Sequence, residues 1–269
     1  MKRLIATLTL LALMLVPSMA QAAVGDYTTV HWDTAGSGNT APYGITWDGT
    51  YFWVTDGGND EVYKYNAAGT YQSISWDTHG SGNDDARSIT WDGTYFWIVD
   101  SGDDEVYQYN SAGTYTTVHW DTNGSGNTDP IGITWDGTYF WVTDNANDEV
   151  YQYNSAGTYT TVHWDTNGSG NTFPVSITWD GTYFWVLDYS AKKVFKYNAT
   201  GTYQSFNFSY GSLNPFSLVW DGGYFWITDY GDDEVYKYEA PSGTFPPWGG
   251  EETPTPLIQT RRQRIIFIR

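Results

Sequence analysis

The apolar and aromatic positions of this chain fall into short alternating runs that are joined by tight turns. The pattern is clearest at residues 45–53, where Ile-Thr-Trp and Tyr-Phe-Trp flank Asp-Gly-Thr. β-Branched and aromatic residues suit a pleated, packed surface. Asp-Gly is a strong hairpin signal, because Gly reaches a positive φ without a Cβ clash. The stretch therefore predicts two strands joined by a tight turn.

This hairpin returns along the whole chain. Near-identical copies occupy residues 89–97, 133–141 and 177–185, and an edited copy occupies residues 218–226. The first Trp of the motif recurs every 44 residues, with a three-residue deletion before the last copy. A faithful repeat of this length indicates that each unit is one element of a repetitive fold.

Each unit contains room for four strands, here named A to D. In the first unit we predict them at residues 44–47, 51–56, 61–66 and 70–76, followed by a Gly-rich loop at residues 77–87. Successive side chains of a strand point to opposite faces of its sheet, and in strands A and B both sets of side chains are apolar or aromatic. This is expected of a sheet that packs against neighbours on both faces. Four short antiparallel strands in about 44 residues are typical of a β-propeller blade.

The two ends of the repeat region predict how the ring closes. Residues 27–32 match strand D but precede the first unit. After the last strand C, residues 243–248 begin like strand D, but Pro246 and Pro247 remove hydrogen-bond donors from a sheet. We therefore predict an all-β fold, a β-propeller of five four-stranded blades closed by the N-terminal strand. A sixth blade built from the tail is the alternative.

The composition changes outside the repeats. Residues 1–22 have the charged start, apolar core and Ala-Gln-Ala end of a signal peptide, which predicts a secreted, periplasmic or cell-surface protein. We assign residues 23–245 to the propeller and residues 246–269 to a Pro/Gly-rich linker with a basic tail. No other segment is long and apolar enough to predict a transmembrane helix.

The charge of the chain narrows the classes of partner. The formal net charge is −19, and removal of Lys2 and Arg3 with the signal peptide takes it to −21. Such an acidic surface repels nucleic acid at long range, so we expect a protein or carbohydrate partner. The sequence indicates no oligomeric state, and without cysteine it has no disulfide framework.

Several segments of each unit resemble the NHL-repeat signature. In the first unit they are Pro-Tyr-Gly-Ile at residues 42–45, Asp48-Gly49, Val-Thr-Asp at 54–56, Asn59 and Val-Tyr-Lys-Tyr at 62–65. The resemblance covers residues 27–240 and implies a propeller that binds proteins, nucleic acids or small ligands; some related six-bladed folds are lactonases. Glu61 stands where the NHL pattern usually has Arg, and Ala86 replaces the proline in the second unit.

The first candidate site lies where the repeats differ. In a propeller the D–A and B–C loops share one face, and the residues just before strand A and two positions earlier vary from unit to unit. The B–C loops vary as well. We predict that the varied residues form a ligand-binding ring at the mouth of the central channel. The ring consists of Tyr43, Asp85, Arg87, Asp129, Ile131, Phe173, Val175, Asn214 and Phe216. Neutral drift on an exposed rim is the alternative.

The second candidate site is repeated. Trp32, Trp76, Trp120 and Trp164 end strand D, and Asp-Thr-x-Gly-Ser-Gly-Asn follows each of them. An exposed indole beside Asp and Asn would offer a sugar an apolar face and hydrogen-bond partners, which favours a multivalent lectin-like glycan binder as an alternative function. Burial of these indoles between blades is the competing interpretation.

Metal binding and catalysis receive weaker support. The acidic B–C loops could hold Ca²⁺, which prefers several oxygen ligands, although solvated charge is the interpretation that we favour. His31, His119 and His163 share one position on separate outer strands and are not expected to converge. We predict a non-catalytic binding and recognition module without another cofactor. A metal-dependent, lactonase-like hydrolase is the remaining alternative.

Overall fold

The computed structural model describes residues 22–211 and 214–240. The predicted signal peptide up to residue 21 and the predicted linker and tail at residues 246–269 lie outside these residues. Within the described residues no helix is long and apolar enough to cross a membrane.

The described residues form five four-stranded antiparallel sheets, which we call blades 1 to 5. The N-terminal strand β1 (Tyr27–Asp33) comes first in the chain. Blade 1 contains β2 (Pro42–Trp47), β3 (Tyr51–Asp56), β4 (Glu61–Asn66) and β5 (Tyr71–Asp77). Blade 2 contains β6 (Ala86–Trp91), β7 (Tyr95–Asp100), β8 (Glu105–Asn110) and β9 (Tyr115–Asp121).

The remaining blades repeat this arrangement. Blade 3 contains β10 (Pro130–Trp135), β11 (Phe140–Asp144), β12 (Glu149–Tyr153) and β13 (Tyr159–Asp165). Blade 4 contains β14 (Pro174–Trp179), β15 (Tyr183–Asp188), β16 (Lys193–Asn198) and β17 (Tyr203–Ser209). Blade 5 contains β18 (Pro215–Trp220), β19 (Tyr224–Asp229) and β20 (Glu234–Glu239), with β1 as its fourth strand. Short 3-10 turns lie at Ala35–Ser37, His79–Ser81, Asn123–Ser125 and Asn167–Ser169.

The N-terminal strand closes the ring as the sequence predicts. β1 pairs antiparallel with β20, and Trp32 lies opposite Val235. Thr28 Oγ1 donates a hydrogen bond to the carbonyl oxygen of Lys237 at 3.0 Å. The prediction of a five-bladed propeller closed by its N-terminal strand is confirmed.

Aromatic side chains fill the spaces between neighbouring blades. Trp53 of blade 1 meets Phe96 of blade 2 with ring centroids 4.8 Å apart, and Trp97 meets Phe140 of blade 3 at 4.8 Å. These rings are almost fully buried. Burial of large aromatic surfaces dominates core energetics, so these contacts between sheets hold the ring together.

Small residues let the innermost strands approach each other at the axis. A Cβ on Gly44 would lie 2.5 Å from the carbonyl oxygen of Arg87 in blade 2, which is too close for any side chain. Ser176 occupies the corresponding position in blade 4, and its Oγ accepts a hydrogen bond from the Leu218 N–H at 2.9 Å. The blades thus meet at the axis through glycine backbone and serine hydroxyl groups.

Candidate functional site

Backbone hydrogen bonds bring the D–A and B–C loops to one face of the ring. In blade 1 the Gly57 N–H donates to the carbonyl oxygen of Ala41 at 3.0 Å. In blade 4 the Tyr189 N–H donates to Phe173 at 3.1 Å, and the same bond recurs in blades 2, 3 and 5. The residues of the predicted ring therefore share a face, here called the loop face.

A buried carboxylate holds the two loops together in each blade. Asp56, at the end of β3, is 0% exposed; its Oδ2 accepts from the Thr40 N–H at 2.8 Å and its Oδ1 from the Gly58 N–H at 2.7 Å. The equivalent residues Asp100, Asp144, Asp188 and Asp229 are also 0% exposed. Sequence reasoning missed this structural role, although the invariant Asp at the end of strand B was its signal.

One half of the loop face is aromatic. Tyr43 stacks on Phe216 with centroids 4.3 Å apart, and Tyr230 meets the edge of Tyr43 at 5.6 Å. The hydroxyl groups of Tyr189 and Tyr230 lie 3.1 Å apart, and Tyr189 donates to Asn214 Oδ1 at 3.3 Å. The hydrogen bond with Tyr189, together with burial, raises the pKa of Tyr230 to about 12, so the Tyr230 hydroxyl stays protonated near neutral pH.

The lone cation of the predicted ring is already paired. Arg87 Nε and Nη2 lie 2.8 and 3.0 Å from the two carboxylate oxygens of Asp85. The guanidinium also lies 5.0 Å from the Tyr43 centroid and 5.8 Å from that of Phe216. Ser101 Oγ donates to Asp85 at 3.3 Å. Arg87 therefore joins the aromatic half to a polar half and does not present a free charge.

The other predicted residues separate into exposed and buried groups. Phe173 is 37% exposed and contacts Tyr189 with centroids 5.6 Å apart. Asp129 is half-buried and accepts a hydrogen bond from Asn145 Nδ2 at 2.9 Å. Ile131 and Val175 are buried in the apolar cluster beneath the face.

The ring prediction therefore needs correction at three of its nine positions. Ile131, Val175 and Phe216 are buried in one apolar core cluster, so they support the face and contribute little to its surface. Sequence reasoning omitted Tyr189, Tyr230 and Asn145 as site residues. The variation of the B–C loops from blade to blade was the signal that could have found them.

The four repeated strand-D tryptophans do not form an exposed sugar platform. Trp32, Trp120 and Trp164 are each 8% exposed, and Trp76 is only half-buried. Each indole packs on a positive-φ glycine and an aromatic ring of the next blade, as Trp76 does on Gly113 and Tyr109. Of the two interpretations of these positions, burial between blades is therefore the one that the structure shows, because the side chains cover the joints between blades.

Buried amides accompany these indoles. Asn39, Asn83, Asn127 and Asn171 are 0% exposed, and neither their amide atoms nor the Nε1 atoms of the four tryptophans have a hydrogen-bond partner among the described residues. The Asn that was expected beside an exposed indole thus lies inside the protein with it.

The acidic loops bring three carboxyl groups together in blade 2. The ligand atoms of Asp84, Asp100 and Asp103 lie within 4.8 Å of one another, the one such group among the described residues. Asp100 already accepts backbone N–H groups on both oxygens, and Asp84 and Asp103 are exposed. The calcium expectation stays a prediction.

Three of the four histidines lie on outer strands, as expected, whereas His79 lies in the D–A loop after β5, where its Nδ1 is 3.8 Å from Asp60 Oδ2. His119 Nδ1 contacts Glu105 Oε2 at 2.7 Å, and His163 contacts Glu149 at 3.1 Å, each across its own pair of outer strands. His31 pairs with Glu234 in blade 5. These side chains do not converge on a common site.

Comparisons with known proteins show the fold of this chain but neither its family nor its function. Neither a protein-family profile nor a curated protein sequence matches the chain, so the NHL resemblance stays a prediction. The similar solved structures are β-propellers. Glutaminyl cyclase from Myxococcus xanthus aligns with a TM-score of 0.62 and 10% identity, over 78% of this chain and 93% of the cyclase.

Two further structures are less similar. Virginiamycin B lyase from Staphylococcus aureus aligns with a TM-score of 0.48 and 17% identity over 74% of this chain, which spans 66% of the length of the lyase. A chain of a nidogen/laminin complex aligns with a TM-score of 0.49 and 17% identity, over 74% of this chain and 76% of its own length. The chain is therefore a β-propeller, and its function must be argued from its own residues.

Proposed function

We propose that this protein is an exported recognition module that binds a protein partner on the loop face. The observation that supports this proposal is that the residues that differ from blade to blade lie on the loop face. Strands A to C and the A–B turns are nearly identical in the five units, whereas Tyr43, Arg87 and Phe216 replace one another at one position. The fold then places these varied side chains in mutual contact.

The chemistry of the face suits a partner with basic and apolar side chains. The aromatic half offers Phe173 and Tyr43 as apolar contacts, and the buried Phe216 stacks on Tyr43 and holds its ring in place. Asp129 has an amide neighbour, Asn145, and no basic partner among the described residues, so its carboxylate can pair with a cation. The net charge of −19 strengthens the attraction at long range.

Binding is a better assignment than catalysis for this face. Three of the four histidines lie on outer strands, and His79 is 3.8 Å from Asp60. The one close group of carboxyl groups among the described residues joins the two loops of blade 2, and both oxygens of its buried member Asp100 already accept backbone N–H groups. The paired Arg87 and the tyrosines of the face supply hydrogen bonds and stacking surfaces, which serve recognition. The export part of the proposal depends on the signal-peptide pattern in residues 1–22.

The proposal is tested with a displayed library of random peptides panned against the exported protein. We expect the enriched peptides to carry Arg or Lys beside an aromatic or aliphatic residue and to bind more weakly as salt increases. The double variant Phe173→Ala, Asp129→Asn should weaken them by about tenfold or more, because it removes an apolar contact and an ion pair.

A variant on the opposite face supplies the control. Thr94 is exposed in the A–B turn of blade 2, and Thr94→Ala should leave peptide binding unchanged. Enriched peptides without basic residues, or peptides that bind the double variant as well as the wild type, would contradict the proposal.

A further inference from the structure

The face opposite the loop face, here called the turn face, carries a groove between blades 1 and 2. The groove has a volume of about 280 Å³, and its lining residues come from both blades. Blade 1 contributes Asp48, Thr50, Tyr51, Trp53 and Lys64, and blade 2 contributes Trp91, Phe96 and Ser111. Its size suits a small ligand or one residue of a polymer.

An ammonium group is held in this groove without a carboxylate partner. Lys64 Nζ lies 3.8 Å from the ring centroid of Tyr51 and 4.9 Å from that of Trp53. No acidic oxygen among the described residues lies within ion-pair distance of it. Contacts with aromatic faces stabilise the cation but do not use its N–H donors. Lys64 is therefore oriented to donate hydrogen bonds to a ligand.

The groove also holds an aromatic face and acceptor groups. Trp91 is half-buried, packs on Phe96 with centroids 4.5 Å apart, and has no hydrogen-bond partner for its indole among the described residues. Asp48 accepts from the Trp53 indole at 2.6 Å and from two backbone N–H groups, which fix its carboxylate. Ser111 is exposed at the rim and can donate or accept.

This combination fits a sugar ring better than a simple anion. The C–H face of a pyranose can stack on an indole, while its hydroxyl groups need donors and acceptors around the rim. A bare anion would need the lysine but would be repelled by Asp48 and would leave Trp91 without a role. A purely apolar ligand would leave the Lys64 N–H groups unpaired at a cost.

The placement of a lysine over aromatic rings recurs in two other blades. Lys196 Nζ lies 3.6 Å from the Tyr183 centroid, and Lys237 Nζ lies 3.4 Å from that of Tyr224. Blades 2 and 3 have glutamine at this position, and the Oε1 atoms of Gln108 and Gln152 accept from strand-D threonines at 2.6 Å. The three lysine–aromatic pairs thus belong to blades 4, 5 and 1, which are neighbours in the ring.

We infer that the turn face is a multivalent glycan-binding surface in which the groove between blades 1 and 2 and the lysine–aromatic pairs of blades 4 and 5 each contact one pyranose residue. This site uses the tryptophans at the ends of strand A and in strand B, not the strand-D tryptophans that the sequence suggested. It is separate from the loop face, so either site can fail without the other. Neutral and uronate-containing glycans share the pyranose chemistry, and the lysine can donate to a hydroxyl or a carboxylate.

Isothermal titration of the exported protein with defined oligosaccharides tests the inference. The probes are oligomers of glucose, N-acetylglucosamine and galacturonate, so that neutral and uronate ligands are separate arms. We expect binding of at least one series with a stoichiometry near three per chain, one for each lysine–aromatic pair. The triple variant Lys64→Gln, Lys196→Gln, Lys237→Gln should bind about tenfold or more weakly, because it removes a charged donor from each pair.

The chain supplies matched controls. Lys64→Gln alone installs the residue that blade 2 has and should lower the stoichiometry by one. Lys193→Gln makes the same charge change at the loop-face end of β16 and should leave both affinity and stoichiometry unchanged. The melting temperatures should match, since these side chains are partly exposed.

Two outcomes would overturn the inference. One is that none of the three oligosaccharide series binds the wild type. The other is that the triple variant binds with unchanged affinity and stoichiometry, or that the loss is seen with Phe173→Ala on the loop face instead.

Discussion

An exchange of an amide for a carboxylate separates the B–C loops of blades 2 and 5 from those of blades 1 and 3. Asn147 Nδ2 in blade 3 donates to the buried carboxylate of Asp144 at 2.9 Å. Asp103 takes the equivalent place in blade 2, beside the buried Asp100, and cannot donate. Burial is the largest cause that raises the pKa of Asp100, and backbone N–H groups oppose it. A neutral donor there should relieve the buried charge.

Asp103→Asn should therefore stabilise the protein by about 1 kcal/mol at neutral pH. Because the folded pKa of Asp100 is raised, its charged form opposes folding fully at pH values above that pKa. The penalty is relieved as the pH falls through the folded pKa toward the ordinary value of 3.8. The gain from Asp103→Asn should accordingly shrink with falling pH. Urea unfolding at neutral pH and near pH 4 measures both differences.

Asp121→Asn, an exposed aspartate of the same blade, is the control and should change stability little. Equal gains for the two variants, or a gain that grows as the pH falls, would contradict the prediction. Thermal melting with millimolar Ca²⁺ checks the calcium expectation, since an ion bound by this group raises the melting temperature of the wild type and not that of Asp103→Asn.

At the scale of the element, the outer strands carry the most unusual backbone. Strand D contains a non-glycine residue at positive φ in each blade: Thr29, Ser73, Thr117, Thr161 and Ser205. The register of strands C and D shifts at this point, which marks a β-bulge. The next residue then points outward, as Ile74 does with 45% exposure. Bulges on edge strands discourage pairing with other chains, so these protect the five outer edges.

Removal of β1 tests the closure of blade 5. A variant without Tyr27–Asp33 should melt at a lower temperature and self-associate, because β20 becomes an unprotected edge and Trp32 no longer packs on Tyr65. Differential scanning calorimetry and size-exclusion chromatography measure the two effects. A synthetic peptide of residues 22–35 added in trans should restore the melting temperature in part. An unchanged melt, or no response to the peptide, would show that β1 does not hold the ring closed.

The strand pattern could be predicted from the sequence because its causes are local. Asp48-Gly49 fixes a turn, and the alternation around it fixes two strands, so β3 has the predicted residues 51–56. Local pattern alone could not decide whether the Trp76 side chain is exposed or buried. An aromatic residue before a polar loop is compatible with a position on the surface and with one between two blades. The prediction for Ile131 and Val175 was wrong for a related reason. The face to which their side chains point depends on the register shift inside strand A. The turn-face groove was missed because its walls come from two blades.

At the scale of the whole molecule, the net negative charge opposes folding of the chain into a compact ring. The net charge is −19, and three of the lysines lie over aromatic rings instead of pairing with carboxylates. Repulsion between like charges destabilises a compact state and is screened by salt. The close contacts between blades must overcome this repulsion when the ring forms.

We therefore expect the melting temperature to rise when NaCl is increased from about 10 mM to about 300 mM, since the Debye length falls below about 10 Å over that range. Thermal melting by circular dichroism measures the rise. The same series near pH 4, where many carboxylates are protonated, should show a smaller rise. A melting temperature that falls with NaCl at neutral pH would mean that attractive charge pairs outweigh repulsion.

The pairing of β1 with β20 also sets an order of events during biosynthesis. Thr28 and its hydrogen-bond partner Lys237 are 209 residues apart in sequence, so the ribosome makes one long before the other. The first strand to emerge must wait for the last blade, and the chain stays incomplete until nearly all of it has been translated. That delay keeps blade 5 without its fourth strand until β20 has been made, so the ring cannot seal while its last blade is still being synthesised.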